Sequence, residues 1–259
     1  MTDRRQRQKE NRAARREVER RAASRRELRR RVVIALGIGV SMAGILALIN
    51  LAGSSDDEQG LPPRYLAFRE QATACGAEAP PEIEPAAFTA PEQEPLGEGT
   101  LTATLITSCG PIAIELDRAY PATVNSFVFL ARQGFYDGTV IHRIVSDFAL
   151  YAGDPEADGT GGPGYLVPDE LPPEDFVYED GVVAMQNQGG GTTGSQFFIV
   201  VGDNAEVLAN NFSILGRVTG GRETIEAIAS IPTVNTPGTV ERSFPTETVY
   251  IDGIEISNG

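Results

Sequence analysis

The chain has one histidine, two cysteines and no tryptophan among its 259 residues. A single His removes the usual nucleophile–base pair of a hydrolase. Ser195, in the run Gly194-Ser195-Gln196, has neither a G-x-S-x-G elbow nor a second His to activate it. One His and two Cys are too few for a convincing zinc centre. A calcium loop fails as well. Asp154-Pro155-Glu156-Ala157-Asp158-Gly159 opens like one, but Tyr165 stands where a bidentate carboxylate is needed. Any chemistry must therefore run on hydrogen bonds, fixed charge and shape.

Charge is absent from one stretch and lopsided on either side of it. Residues 32–52 carry no charged side chain, whereas residues 1–31 hold 14 Lys/Arg against five Asp/Glu. The remainder has eight Arg against 31 acids, giving a formal net charge of -14 for the whole chain. An acidic bulk repels phosphates, so no nucleic-acid partner is expected. The 21 residues of 32–52 would span roughly 30 Å as a helix, the thickness of a hydrocarbon core. We expect a single transmembrane helix there, rather than a buried core helix or a cleaved signal peptide, whose apolar run is shorter. The basic leader 1–31 should stay cytoplasmic, which puts residues 53–259 outside the cell membrane.

From 53 to 100 the composition turns to Pro, Glu, Ala and Gly, as in an extended linker, with a short helical piece expected at 64–74. Cys75 lies in this linker and Cys109 in the domain that follows. On the outer side a disulfide would persist and pin the linker to the domain; two independent thiols are the other reading.

A globular domain is expected over 101–259. Segments 101–105 and 112–116 alternate as half-buried strands around a turn at Ser108-Cys109-Gly110-Pro111. Pro121 suits a helix start, and Val124, Phe127, Val128 and Ala131 form an apolar stripe at helical spacing. Short β-rich runs follow at 139–144, 148–152, 182–186, 196–201, 213–218 and 248–256, with a second helix at 223–230. Eight short strands and two helices predict a mainly β fold: a closed antiparallel eight-stranded barrel capped by two α-helices.

Within that domain several motifs stand in order: Thr123-Val124-Asn125-Ser126-Phe127, Gly134-Phe135-Tyr136-Asp137-Gly138-Thr139, His142-Arg143-Ile144 and Gly153-Asp154-Pro155. Gly161-Gly162-Pro163-Gly164-Tyr165, Pro168-Asp169-Glu170, Met185-Gln186-Asn187, Gly194-Ser195-Gln196-Phe197-Phe198-Ile199 and Leu215-Gly216-Arg217-Val218 complete the set. Together they resemble the cyclophilin-type peptidyl-prolyl cis–trans isomerases, and the leader plus apolar span resembles the bacterial membrane-anchored members.

The resemblance implies Arg143 as the catalytic residue and a proline pocket of Phe148, Phe198, Leu208 and Phe212. It implies substrate-backbone contacts from Gln196 and Asn187, with Tyr151 and Gln186 beside them. No cofactor is implied, and the partners are proline-containing polypeptides. Tyr151 stands where the family usually has Gln, Ala149 where it has Met, and Gln186 and Gln188 where small residues stand. Val207 replaces a Trp, which implies weak cyclosporin binding. Without these motifs Arg143 reads as a salt-bridged structural arginine, and His142 as a structural hydrogen-bonder. The function expected is isomerisation of X-Pro bonds in extracytoplasmic proteins, assisting their folding. The rival readings are a tethered, non-catalytic proline-peptide binding or chaperone module and an acidic cell-surface structural domain.

Overall fold

The computed structural model describes residues 62–82 and 86–259. The expected leader (1–31), transmembrane helix (32–52) and first part of the linker lie outside the described residues. No helix among the described residues is long and apolar enough to cross a membrane.

Ten strands and three α-helices make up the described chain. Helix α1 (Pro63–Arg69) comes first, followed by β1 (Leu101–Thr107), β2 (Gly110–Leu116) and α2 (Pro121–Arg132). Then come β3 (Arg143–Val145), β4 (Ala149–Ala152), β5 (Val182–Met185), β6 (Phe197–Val200) and β7 (Ile214–Gly220). Helix α3 (Arg222–Ala229), β8 (Thr233–Asn235), β9 (Arg242–Pro245) and β10 (Ile251–Asn258) complete the order. Eight strands form one antiparallel sheet in the order β10-β1-β2-β7-β5-β6-β4-β3, and β8 and β9 pair as a separate hairpin.

The closed barrel expected from the sequence is not formed; the curled sheet stays open between its edges β3 and β10. Gly134 and Gly138, at φ 69° and 73°, turn the chain sharply, and residues 139–142 cross the seam as irregular backbone. Bonds from Gly138 N to Ile251 O, Ile251 N to Thr139 O and Ile141 N to Val249 O stitch that seam without a ladder. Strand β3 is thus only three residues long, and β9 of the small hairpin packs beside it.

Helix α2 starts on Pro121, whose fixed φ suits the first helical position and whose missing N–H needs no partner there. The next two N–H groups, of Ala122 and Thr123, donate to the Glu170 carboxylate at 3.2 and 2.8 Å. A carboxylate at this end also complements the helix dipole. The helix packs on β10 and β7, and its Val124, Phe127, Val128 and Leu130 are fully buried.

The linker is more closely attached than its composition implies. Residues 86–99 contain no helix or strand, yet the Phe88 ring meets Phe129 edge-on at 5.2 Å. The Asn125 side chain accepts from Glu94 N and donates to Glu92 O, both at 2.8 Å. Helix α1 ends at Arg69, short of the expected 74, because Thr73 bridges to Thr248 and Cys75 takes a φ of 61°. Cys75 and Cys109 are joined in a disulfide across a separation of 34 residues.

Candidate functional site

Period-two alternation divides β3, β4, β5 and β6 into two faces. Ile144, Leu150, Ile199 and Val183 lie opposite one another across the strands and belong to the main core. The intervening residues form a second row: Arg143 opposite Tyr151, Tyr151 opposite Phe198, Phe198 opposite Ala184, and Ala184 opposite Ile214. This row builds a separate apolar cluster, against which Phe148, Leu208 and Phe212 pack half-buried. The sequence-predicted Arg143, Phe148, Tyr151, Phe198, Leu208 and Phe212 therefore share one surface.

The rings interlock. Phe198 lies 5.6 Å from Tyr151 and meets Phe212 edge-on at 5.3 Å, geometries that add to the burial of each ring. Phe198 is buried at the centre of this cluster, while Phe148, Leu208 and Phe212 pack against it partly exposed. Tyr178, which the sequence reading missed, holds Phe212 in place. Its hydroxyl donates to Phe212 O at 2.9 Å and accepts from Phe212 N at 3.2 Å. Burial pushes the Tyr178 phenol up to about 12. Its only sequence signal was an aromatic just before the Glu179-Asp180-Gly181 turn.

Arg143 stands at the open end of the row with its guanidinium over the Tyr151 ring, 4.3 Å from the centroid. Nε and Nη2 both donate to Oε1 of Glu241, at 3.1 and 2.5 Å. Of five N–H donors this leaves both on Nη1 and one on Nη2. Burial works against the charge, but Tyr151 and Glu241 outweigh it, and the Arg143 pKa is raised. Glu241 is a second residue that the sequence reading missed.

His142 is buried, and desolvation lowers its pKa despite the opposing pull of Asp154. Its Nδ1 has no partner among the described residues. Ser195 is buried and donates to Gly153 O at 2.7 Å, which engages its hydroxyl in structure.

Gln186, Asn187 and Gln196 line an adjoining cleft of about 450 Å³ with Gly161, Tyr165 and Glu156. Gln196 Nε2 donates to Gly161 O at 2.8 Å, and Gln186 N donates to Gln196 O at the same distance. Gly161 has to be glycine, because a Cβ there would collide with the Asp154 carboxylate. Asp154 itself is buried and accepts from Glu156 N at 2.8 Å and Gly159 N at 2.5 Å. It is used in closing its own loop, and no group among the described residues is arranged to hold a metal ion. Asn187 Nδ2 donates to Asn211 O at 2.7 Å, beside Phe212, and so ties the cleft to the aromatic cluster.

The model for the cyclophilin-type peptidyl-prolyl cis-trans isomerases matches residues 102–256. Peptidyl-prolyl cis-trans isomerase B of Streptomyces anulatus is 40% identical over 174 residues, covering 60% of this chain and 96% of that protein. Peptidyl-prolyl cis-trans isomerase A of Mycobacterium tuberculosis is 39% identical over 175 residues, covering 61% and 93%. The crystal structure of a Cryptosporidium parvum cyclophilin-type isomerase aligns with a TM-score of 0.55 at 26% identity, over 62% of this chain and 99% of that one. A crystal structure of the same protein in the presence of the dipeptide Ala-Pro aligns with a TM-score of 0.54 at 27% identity, over 61% and 99%. With an open, curled antiparallel sheet and these relatives, the chain belongs to the cyclophilin-type peptidyl-prolyl cis–trans isomerases and is an enzyme of that class.

Proposed function

We propose that this protein isomerises X-Pro bonds by stabilising the twisted amide with Arg143, on polypeptides outside the cytoplasmic membrane whose folding it assists. The observation that carries the reading is the cross-strand row that sets the Arg143 guanidinium on the same face as Phe198, against which Phe148, Leu208 and Phe212 pack; these side chains would form the hollow for a proline ring. Amide resonance opposes rotation with a barrier of about 18–20 kcal/mol. Twisting the bond breaks that resonance and localises a lone pair on the prolyl nitrogen. A guanidinium stays charged at any working pH and donates to that lone pair without transferring a proton. The interaction is stronger in the twisted state than in the planar one, which is what lowers a barrier.

The hollow would hold the proline ring while Gln196, Asn187, Gln186 and Tyr151 hold the chain beside it, and the amide between them turns. No cofactor takes part. The Ala-Pro dipeptide present with the Cryptosporidium relative fits a proline-directed substrate. Val207 is 70% exposed where a drug-binding Trp is common in the family.

The apolar run 32–52 and the basic leader support a tether with the domain on the outer face. The Cys75–Cys109 disulfide fits an oxidising surrounding. Protease added to intact cells should digest the domain; a domain degraded only after lysis would refute the orientation. Catalysis is tested with an X-Pro peptide in a protease-coupled assay, where wild type should accelerate isomerisation and Arg143→Ala should not. Equal acceleration by both proteins would remove the arginine from the mechanism.

A further inference from the structure

The guanidinium of Arg143 is held by a residue from outside the eight-stranded sheet. Glu241 lies at the root of the β8–β9 hairpin tip, and its Oε1 takes two N–H groups from a single edge of the guanidinium. Two bonds to one edge fix the rotation of that planar group, and the Tyr151 ring fixes it from the face. The edge left free is the one bearing Nη1.

The hairpin is built to keep the carboxylate there. Its tip is closed by Thr236 N to Glu241 O at 2.7 Å, Thr239 N to Thr236 O at 2.9 Å and Glu241 N to Thr239 Oγ1 at 3.2 Å. Its base is propped by the N-terminal arm: Phe244 lies 4.7 Å from the buried Phe68 of α1, and Pro245 O accepts from Gln71 Nε2 at 3.1 Å. Ala74 N donates to Thr248 O at 2.9 Å, and the next residue, Cys75, is fastened to Cys109. A chain of contacts thus runs from the disulfide-anchored arm through Phe244 to Glu241.

We infer that Glu241 is a positioning residue for Arg143, setting the plane and the free edge of the guanidinium for the rotating amide. The inference rests on the isomerase reading above. The ion pair is partly exposed, with side-chain accessibilities of 26% for Arg143 and 44% for Glu241. Exposed pairs contribute little to stability, so its worth is orientational. A carboxylate that only neutralised the guanidinium or competed with substrate would have the opposite kinetic sign.

The test compares wild type, Glu241→Ala, Glu241→Gln and Arg143→Ala as folded proteins, with kcat and KM obtained separately by NMR exchange on an X-Pro peptide. Glu241→Ala should lower kcat about tenfold with KM nearly unchanged, a loss made in the transition state rather than in binding. Glu241→Gln, which keeps an acceptor oxygen, should recover most of that loss. The melting temperature of both variants should stay within about 2 °C of wild type. The Nε–H resonance of Arg143 should stand apart from the other arginines in wild type and merge with them in Glu241→Ala. If Arg143→Ala is inactive while Glu241→Ala matches or exceeds wild-type kcat, the positioning role falls and the isomerase reading stands. If Arg143→Ala is as active as wild type, both fall together.

Discussion

Phe197 and Phe198 are neighbours on β6 and both are almost wholly buried, yet they belong to different parts of the molecule. Phe197 points into the main core, meeting Phe127 at 5.7 Å and Tyr136 at 5.9 Å. Phe198 points the other way, to Tyr151 and Phe212, and through Tyr151 to the guanidinium of Arg143. One face of these short strands packs into the main core and the other into a second apolar cluster that carries the candidate site residues. A strand buried on both sides reads as a continuous apolar run, which is why β4, β5 and β6 show no polar alternation.

That division can be broken by substitution. The largest effect on folding should come from the inward face: Phe197→Ala should cost about 3–5 kcal/mol in chemical denaturation. Arg143→Ala, on the outward face, should change stability by less than about 1 kcal/mol because its ion pair is partly exposed. A comparable stability cost for the two would erase the distinction. Next in size is the Cys75–Cys109 bridge, which closes a loop with a separation of 34 residues. Replacing both cysteines with Ser should lower stability by about 2–4 kcal/mol, and loosening of the arm should appear as faster amide exchange in α1.

A smaller effect is expected at Tyr178, which supports the outward face from behind. Tyr178→Phe removes the hydroxyl that bonds both Phe212 N and Phe212 O, a loss of about 1–2 kcal/mol. Its pH dependence has a definite sign. The folded phenol titrates at about 12, above the value of about 10 for an unfolded tyrosine. Its contribution is therefore intact below about pH 10 and is lost as pH rises towards 12. Unfolding measured across that window should show a decline in wild type that is shallower in Tyr178→Phe.

Much of the outward row was legible in the sequence because it is local. Arg143, Phe148 and Tyr151 come from a single short hairpin and Phe198 from β6, which Gln196 immediately precedes. The resemblance of the ordered motifs to the cyclophilin-type family grouped them, and period-two alternation separated Phe198 from Phe197. Glu241 was not legible. It sits in Thr236-Pro237-Gly238-Thr239-Val240-Glu241, a turn-rich run whose flanking strands are three and four residues long and offer only Val234 and Phe244 as apolar signals. Its meeting with Arg143 spans 98 residues of sequence and depends on tertiary packing. Barrel closure was misjudged for a related reason. Strand count says how many ladders are available, whereas closure requires β3 and β10 to meet, and the glycine-turned segment 139–142 leaves only a stitched seam. The docked linker turns on Phe88, one aromatic in a Pro/Glu-rich stretch, and composition averages such a residue away.

In the proposed mechanism Arg143 contributes to the rotation of the bond and not to the capture of the peptide. Two-dimensional NMR exchange on a saturating X-Pro peptide separates these directly. In Arg143→Ala, peptide-induced shifts at Phe148, Phe198 and Phe212 should persist while the bound cis–trans exchange rate falls by about 100-fold or more, the scale of losing one preorganised donor. An exchange rate equal to that of wild type, with the peptide bound at the same rings, would contradict it.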